Sequence, residues 1–165
     1  MRAFRTISKK KHKELVDLFP VLDTDEYEKL DEWNFLAITV FDHWLSRDDA
    51  IRYIDNCNSD EQKYFDCKWE KFNELLTSDL SPYLVKYRSL GRVVFKEPKS
   101  TGLLVKRLGL ISENQPFITL ALPELRAVYE QYYDNTHLLY FESQDKIEPL
   151  LKIVKKSGLY ALSRI

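Results

Sequence analysis

The chain has 165 residues, of which 44% are hydrophobic and 31% charged, a composition typical of a globular domain rather than a disordered chain. Its 25 basic and 26 acidic side chains nearly cancel, so the total charge conceals any local excess. No run of about 18 apolar residues is present, which excludes a membrane-spanning helix, and the four glycines do not favour a turn-rich β-sandwich.

The first part of the chain is predicted to be helical. Ser8 is placed to cap a first helix, which Pro20 stops. A second helix is predicted to begin at Asp23 or Thr24, because apolar residues recur every three or four positions as far as Trp44. Within it, residues 38–40 form a β-branched run that also fits a strand, so both alternatives stay open there.

Three shorter helices are predicted to follow. Ser46 caps the third helix of the chain, and Ser59 caps the fourth, which carries an aromatic stripe on one side. A fifth helix is predicted from Pro82 to about Leu90, because proline suits the first helical turn and Gly91 suits a helix end.

The pattern changes after residue 91. Residues 92–96 are predicted to form a strand and residues 97–102 a turn or loop, whereas the run at 103–108 fits a strand or a helix. Beyond it, strands and helices are predicted to alternate in five elements, a strand at 117–122, a helix at 124–134, a strand at 137–142, a helix at 143–156 and a strand at 159–162.

These elements predict an α+β fold, in which a helical N-terminal half packs against a C-terminal β-α-β-α-β unit with a small parallel or mixed sheet. Helical crossovers of this length favour parallel strands with right-handed connections. We expect one domain over residues 1–165, with a helical layer at about 8–90 and an α/β layer at about 92–165, because each half alone would bury little surface.

The charges are separated along the chain. Residues 1–13 contain six basic side chains and no acid, a net charge of +6. Residues 14–77 contain seventeen acids and six bases, a net charge of −11, and residues 78–165 contain thirteen bases and nine acids, a net charge of +4. An asymmetry of this size indicates the kind of partner that each segment attracts.

Sequence motifs for the common chemistries are missing. The chain has no glycine-rich phosphate loop and no nucleophile elbow, and its three histidines are far apart in sequence. Cys57 and Cys67 are not joined by nearby histidines into a zinc pattern, and we do not expect a disulfide between them. We therefore predict no cofactor, no metal and no catalytic residue.

With no apolar run behind the basic N-terminus, we expect a cytoplasmic location.

Two features of the sequence are possible exceptions to the absence of functional motifs. Asp42 and His43 form an adjacent acid–imidazole pair that would suit a general base. Because neighbouring residues of a helix point in different directions, we interpret His43 as a partly exposed helix residue that Asp42 does not orient. The basic residues of 9–13 could attract phosphate groups, but they also suit a solvated helix start, and we do not expect nucleic acid as the partner.

The residues that we predict to bind a partner are mainly acidic. Residues 23–32 hold six acids and one lysine, and further acids follow as far as Glu74. Complementary charge raises the rate of association, and aromatic side chains are frequent anchors of interfaces. The alternative is that these acids only cap helices and aid solubility. The predicted partner-binding residues are Asp23, Asp25, Glu26, Glu28, Asp31, Glu32, Trp33 and Tyr133.

These observations favour a non-enzymatic cytoplasmic binding protein that binds a basic protein partner through an acidic helical face. An immunity protein or inhibitor that neutralises a toxin has this character. One alternative is a small enzyme whose site is assembled in a cleft between the two halves, and a deep pocket that brings His43 or His137 together with carboxylates would favour it. A second alternative is a nucleic-acid-associated protein that uses the basic N-terminus.

Overall fold

The computed structural model describes residues 3–22, 33–88, 92–109 and 117–163. Its central feature is a sheet in which every described pair of neighbouring strands is antiparallel, in the order β1-β4-β3-β5-β6-β7-β2-β8. The strands are β1 (Phe4–Thr6), β2 (Asn34–Thr39), β3 (Tyr83–Tyr87), β4 (Val93–Pro98), β5 (Phe117–Leu122), β6 (Ala127–Tyr132), β7 (Thr136–Phe141) and β8 (Tyr160–Ser163).

Five α-helices are found in the described ranges. They are α1 (Lys9–Leu18), α2 (Arg47–Ala50), α3 (Ser59–Asp79), α4 (Thr101–Leu108) and α5 (Glu148–Lys156). A π-helical turn at Ile51–Asp55 continues α2, and short 3-10 turns lie at Pro20–Leu22, Pro123–Leu125 and Gln144–Ile147.

The prediction of a small parallel or mixed sheet in the C-terminal half is wrong. The sheet has eight strands, and two of them, β2 and β3, come from the layer at about 8–90 that was predicted to be helical, while β1 precedes that layer. Parallel neighbours require a long crossover, whereas antiparallel neighbours need only a short turn. The connections β5–β6 and β6–β7 are such turns, so these three strands form a meander.

The helix predicted at residues 124–134 is the strand β6. Pro123 does not start an α-helix but opens a 3-10 turn, which ends at Arg126 in the left-handed conformation (φ 46°). That turn reverses the chain, and Ala127–Tyr132 then pairs antiparallel with β5 from Leu122 back to Phe117. Asn135, with φ 63°, makes the next reversal into β7. Asparagine tolerates the left-handed region better than most residues.

Two other segments predicted to be helical are strands where they are described. The start of the second predicted helix, at Asp23 or Thr24, lies outside the described residues, and its residues 34–39 form β2. The β-branched alternative at residues 38–40 is the correct one, because β2 lies inside the sheet between β7 and β8. The fifth predicted helix, beginning at Pro82, is replaced by β3, which lies between β4 and β5. Both segments are apolar enough for either conformation, and pairing with distant strands decides between them.

The ends of several helices were predicted correctly. Ser8 accepts a hydrogen bond from the Lys11 amide at the start of α1, and Ser46 does the same for Asp49 at the start of α2. The cap of α3 is Asn58 rather than Ser59, in a capping box with Glu61. Strands β4, β5, β7 and β8 and helix α5 lie close to their predicted positions, and the ambiguous run at 103–108 belongs to α4.

Helices cover both faces of the sheet. On one face, α3, α4 and α5 pack against β2, β3, β5, β6 and β7 in a core that contains Trp69, Phe72, Leu108 and Tyr129. On the other face, α1 packs against β3 to β6, with Phe19 and Phe95 in contact at 6.3 Å between ring centroids. These two sides are called the α3 face and the α1 face below. Alternation along each strand assigns its side chains to one or the other.

No described helix is long and apolar enough to cross a membrane. The cytoplasmic location and the single domain both stay predictions. Cys57 and Cys67 are free thiols, and the pKa of the Cys57 thiol is raised, mainly by burial.

Candidate functional site: a polar cleft between α3 and the β6–β7 turn

A cleft of about 330 Å³ opens on the α3 face, between the middle of α3, the end of α4 and the turn that joins β6 to β7. Its volume is at the lower end of the range for small-molecule sites, about 300–1,000 Å³. It is lined by Gln62, Asp66, Trp69, Glu70, Asn73, Leu108, Gly109, Gln131, Tyr132, Tyr133, Asn135 and His137.

Helix α3 supplies five of these residues through its periodicity. Gln62, Asp66, Trp69 and Asn73 follow one another at spacings of three or four, and Glu70 lies four residues after Asp66, which aligns them along one edge of the helix. The deeper members of this edge are buried and the members at the mouth are exposed. The same edge therefore presents carboxylates to solvent and an amide to the interior.

A directed series of side-chain hydrogen bonds runs from the core to the mouth of the cleft. The indole Nε1 of Trp69 donates to Asn135 Oδ1 at 3.0 Å, and Asn135 Nδ2 donates to Gln62 Oε1 at 3.4 Å. Gln62 Nε2 then donates to Asp66 Oδ1 at 2.7 Å. The Thr39 hydroxyl adds a bond to the Asn135 backbone carbonyl at 3.0 Å. Because indole only donates, the first bond fixes the orientation of both amides that follow.

His137 forms part of the floor of the cleft. Its ring stacks on Trp69 with centroids 3.6 Å apart, and its Nδ1 is hydrogen-bonded to the Tyr129 hydroxyl. Burial lowers the pKa of His137 to about 3, against a smaller opposing effect of a backbone hydrogen bond with Tyr132. The imidazole is therefore neutral at physiological pH, and burial also raises the pKa of Tyr129.

Two side chains that line the cleft each carry a buried oxygen with no hydrogen-bond partner among the described residues. These oxygens are Asn73 Oδ1 and Gln131 Oε1, on side chains that are only 4% and 6% exposed. Gln131 Nε2 donates to the Leu108 carbonyl at 3.0 Å, so the amide nitrogen has a hydrogen-bond partner and only the amide oxygen lacks one among the described residues. A buried acceptor without a donor costs about 1–3 kcal/mol. Such groups are rare enough in native proteins to require an explanation.

The charge of the cleft is negative. Asp66 and Glu70 lie at its mouth, one helical turn apart, and both are exposed. The described residues that line it include no lysine and no arginine. Tyr133, which is 55% exposed, lies at the opposite side of the mouth. This arrangement suits a ligand that donates hydrogen bonds and carries positive charge, and it disfavours an anion.

No protein family model, no curated protein and no solved structure matched this chain. Only the side chains of the cleft therefore indicate what it can bind. Within the described ranges, no group of three or more histidine, cysteine, aspartate or glutamate side chains is arranged to hold a metal ion.

Six of the eight predicted partner-binding residues belong to the part of the chain that the structure does not describe. Asp23, Asp25, Glu26, Glu28, Asp31 and Glu32 lie outside the described residues. Trp33 is partly buried on the α1 face, with its ring centroid 6.3 Å from that of Phe19. Tyr133 is exposed and lines the cleft. The binding role of all eight residues stays a prediction.

Several of the acidic side chains that follow residue 32 form ion pairs, so these acids are not one continuous surface of unneutralised charge. Arg52 donates to both carboxylate oxygens of Glu61, at 2.9 and 3.0 Å. Lys63 lies 3.9 Å from Asp60. Asp66 and Glu70 differ from these two acids, because they border the cleft and have no ion pair within the described ranges.

The interpretation of His43 needs one correction. Residues 40–43 form a bend after β2 rather than a helix, so Asp42 and His43 can face each other, and His43 Nδ1 lies 2.5 Å from Asp42 Oδ1. That hydrogen bond lowers the pKa of Asp42. Both side chains are more than 60% exposed, and neither lines the cleft.

The cleft also bears on the enzyme alternative, because it contains His137 and has carboxylates at its mouth. A general base works best when its pKa is close to the working pH. His137 does not meet this condition, since its pKa is about 3 and its Nδ1 is already bonded to Tyr129. The geometry therefore gives His137 a packing role in the floor of the cleft rather than that of a base.

Three polar residues of the cleft were missed by the sequence analysis: Asn73, Gln131 and Asn135. A signal was present for Asn73, which follows Phe72 on the buried side of α3, where an amide is unexpected. Gln131 was assigned to a helix, and only the alternation of β6 places it beside Tyr129 on the α3 face. The residue type of Asn135 is typical of a turn, but its hydrogen bond to Trp69 could not be predicted from the sequence.

Proposed function

We propose that this chain is a binding protein whose cleft takes up a positively charged, hydrogen-bond-donating side chain of a basic protein partner, with arginine as the preferred residue. The observation that carries the proposal is the pair of buried oxygens, Asn73 Oδ1 and Gln131 Oε1, which lack donors among the described residues. A ligand that donates to both would remove the desolvation cost of leaving them unpaired.

The chemistry of the lining favours arginine over lysine. A guanidinium group presents five N–H donors in a plane, stacks on aromatic rings and is more weakly hydrated than an ammonium group. The lining includes two amide side chains with unpaired buried oxygens, Asn73 and Gln131, and the tyrosine rings of residues 132 and 133. Asp66 and Glu70 at the mouth would attract the cation and speed its approach.

This proposal keeps the basic partner that the charge pattern predicted, but it moves the main contact. The charge pattern predicts that contact at the acids of residues 23–32, whereas the cleft depends on α3 and the β6–β7 turn. The narrower hypothesis of an immunity protein or toxin inhibitor stays a prediction.

Binding of N-acetyl-L-arginine amide to the full chain, measured by calorimetry, tests the proposal. We expect saturable binding that is weaker for the lysine analogue and absent for the glutamine analogue. The variant Asn73→Leu, which is similar in volume and has no acceptor, should weaken binding by roughly tenfold or more, since a hydrogen bond to a charged group contributes about 1.5–3 kcal/mol.

Thr119→Val is the matched control. Thr119 Oγ1 is also buried without a described partner, but Thr119 lies on β5, on the α1 face. Both variants should leave the free energy of unfolding equal or higher, because each replaces an unsatisfied polar group by an apolar one. Only Asn73→Leu should weaken binding. Equal affinity for arginine and glutamine analogues, or equal effects of the two variants, would contradict the proposal.

A further inference from the structure

A second, basic groove lies at the other end of the sheet. It has a volume of about 500 Å³ and is formed by the edge of the sheet where β1, β4 and β3 meet. Its lining residues are Ala3, Phe4, Lys86, Tyr87, Arg88, Val94 and Lys96. Three of these seven side chains are cationic and none is acidic.

The strand register explains why the cations gather there. Lys96 of β4 pairs with Thr6 of β1 on one side and with Leu84 of β3 on the other, and Leu84 belongs to the core of the α3 face. Lys86 is two residues beyond Leu84 and therefore points to the same face. The acid that follows Lys96, Glu97, points to the opposite face.

The positive charge of the groove is not neutralised within the described part of the chain. Glu97 is bonded to Arg5 on the other face, which lowers the pKa of Glu97. Lys96 Nζ donates to the Thr6 hydroxyl at 2.7 Å, a neutral partner. No described carboxylate lies within ion-pair distance of Lys86, Arg88 or Lys96. Lysine and arginine side chains held in one groove without counter-charges raise the local concentration of anions.

The groove also contains an aromatic ring beside the cations. Phe4 of β1 lines the groove and is partly buried against the core of the α3 face, whereas Tyr87 alternates with Lys86 and its side chain points to the α1 face. Proteins that bind single-stranded nucleic acids combine a positively charged groove, which contacts the phosphates, with aromatic rings, on which the bases stack. We propose that this groove binds nucleotides, with Lys86, Arg88 and Lys96 contacting phosphate and the ring of Phe4 contacting the base.

This site is separate from the basic segment that the sequence analysis considered. Lys9, Lys10 and Lys13 belong to α1, which packs on the α1 face, whereas the groove opens on the α3 face. It also shares no lining residue with the cleft of the proposed function. The two proposals can therefore succeed or fail independently.

The experiment measures binding of fluorescein-labelled (dT)8 to the full chain by anisotropy over a range of salt concentrations. Competition by AMP and by inorganic phosphate distinguishes the possible sources of the ligand. A strand is the ligand if (dT)8 binds much more tightly than AMP, and a free mononucleotide is the ligand if AMP competes at equal concentration.

The variant K86Q/R88Q/K96Q should weaken binding of (dT)8 at least tenfold and reduce the salt slope by about 2, at about 0.7 per phosphate contact on a single strand. Phe4→Leu should weaken binding of (dT)8 and AMP but not of phosphate. The single variant Lys86→Gln provides a milder change whose fold is checked by circular dichroism.

Two control variants remove the same number of charges elsewhere. K152Q/K155Q/K156Q removes three exposed lysines of α5, and K9Q/K10Q/K13Q removes three of α1. Both should leave the affinity for (dT)8 within about twofold. The proposal is overturned if neither (dT)8, AMP nor phosphate binds, or if either control weakens binding as much as the groove variant.

Discussion

The indole nitrogen of Trp69 and the side-chain oxygen of Asn135 are joined by a 3.0 Å hydrogen bond between two residues that are each 7% exposed. The bond connects the middle of α3 to the turn between β6 and β7. It also directs the Asn135 amide nitrogen to Gln62, so one buried contact in the core sets the geometry at the mouth of the cleft.

Replacing Trp69 by phenylalanine should therefore destabilise the protein. The ring can still stack on His137, but Asn135 Oδ1 loses its donor, and a buried acceptor left unpaired costs about 1–3 kcal/mol. Trp44→Phe is the control, because the Trp44 indole donates to the Ser163 carbonyl in an exposed position, where water can replace it. Urea denaturation should show a clearly larger loss of unfolding free energy for Trp69→Phe, and equal losses would contradict the role given to the Asn135 bond.

Stability should depend on pH through His137. The pKa of this residue is about 3 when folded and close to its ordinary value of 6.5 when unfolded, so between those pH values the unfolded chain binds more protons. The free energy of unfolding contributed by His137 is therefore fully present above pH 6.5 and falls as the pH is lowered, by up to about 1.4 kcal/mol per unit.

The variant His137→Gln should reduce this slope between pH 4 and 6, although it lowers stability overall because the stacking on Trp69 is lost. Trp44→Phe is again the control, since it removes no titratable group and should leave the slope unchanged. The two slopes come from urea titrations at each pH. A variant of His137 that keeps the wild-type slope would show that this imidazole is not held neutral by the fold.

Elements with strong local signals could be predicted from the sequence. Ser8 and Pro20 bound α1, the three-and-four spacing of aromatic residues fixes α3, and the apolar run at 117–122 fixes β5. Residues 127–132 could not be assigned in this way. Their apolar side chains fit both a helical and a strand period, and the preceding Pro123 suits a helix start as well as a 3-10 turn.

The fold class was mispredicted for the same reason. Once 124–134 is taken as a helix, β5 and β7 become parallel neighbours joined by a crossover, and the meander disappears. The choice between helix and strand for this segment depends on pairing between β5, β6 and β7. Local conformational propensity carries no information about that pairing. The cleft could not be predicted either, because Gln131 and Asn73 come together only when β6 is a strand beneath α3.

Removing the charges at the mouth of the cleft should slow binding of a basic ligand. In the variant D66N/E70Q, the association rate for an arginine-rich peptide should fall several-fold at low salt, and the difference should shrink as salt screens the charges. D55N/E74Q is the matched control, because it removes two exposed carboxylates that do not line the cleft. Stopped-flow fluorescence gives the rates, and equal slowing by both variants would assign the effect to total charge.

The acidic segment 23–32 makes a separate prediction. If it forms part of the partner surface, reversing Asp25, Glu28, Asp31 and Glu32 to lysine should slow association with the same peptide beyond the effect of D66N/E70Q. The measurement is surface plasmon resonance at two salt concentrations. Unchanged rate and affinity would remove this segment from the interface and leave the cleft as the binding site.

The central claim is tested most directly by the indole and side-chain amide signals of the ¹⁵N-labelled protein during titration with N-acetyl-L-arginine amide. Trp33 and Trp44 serve as internal references, because neither lines the cleft, whereas Trp69 and Gln131 do. We predict saturable shifts of the Trp69 indole and the Gln131 side-chain amide, with the other two indoles unmoved. Shifts that are absent, or that move all three indoles alike without saturation, would contradict binding in the cleft.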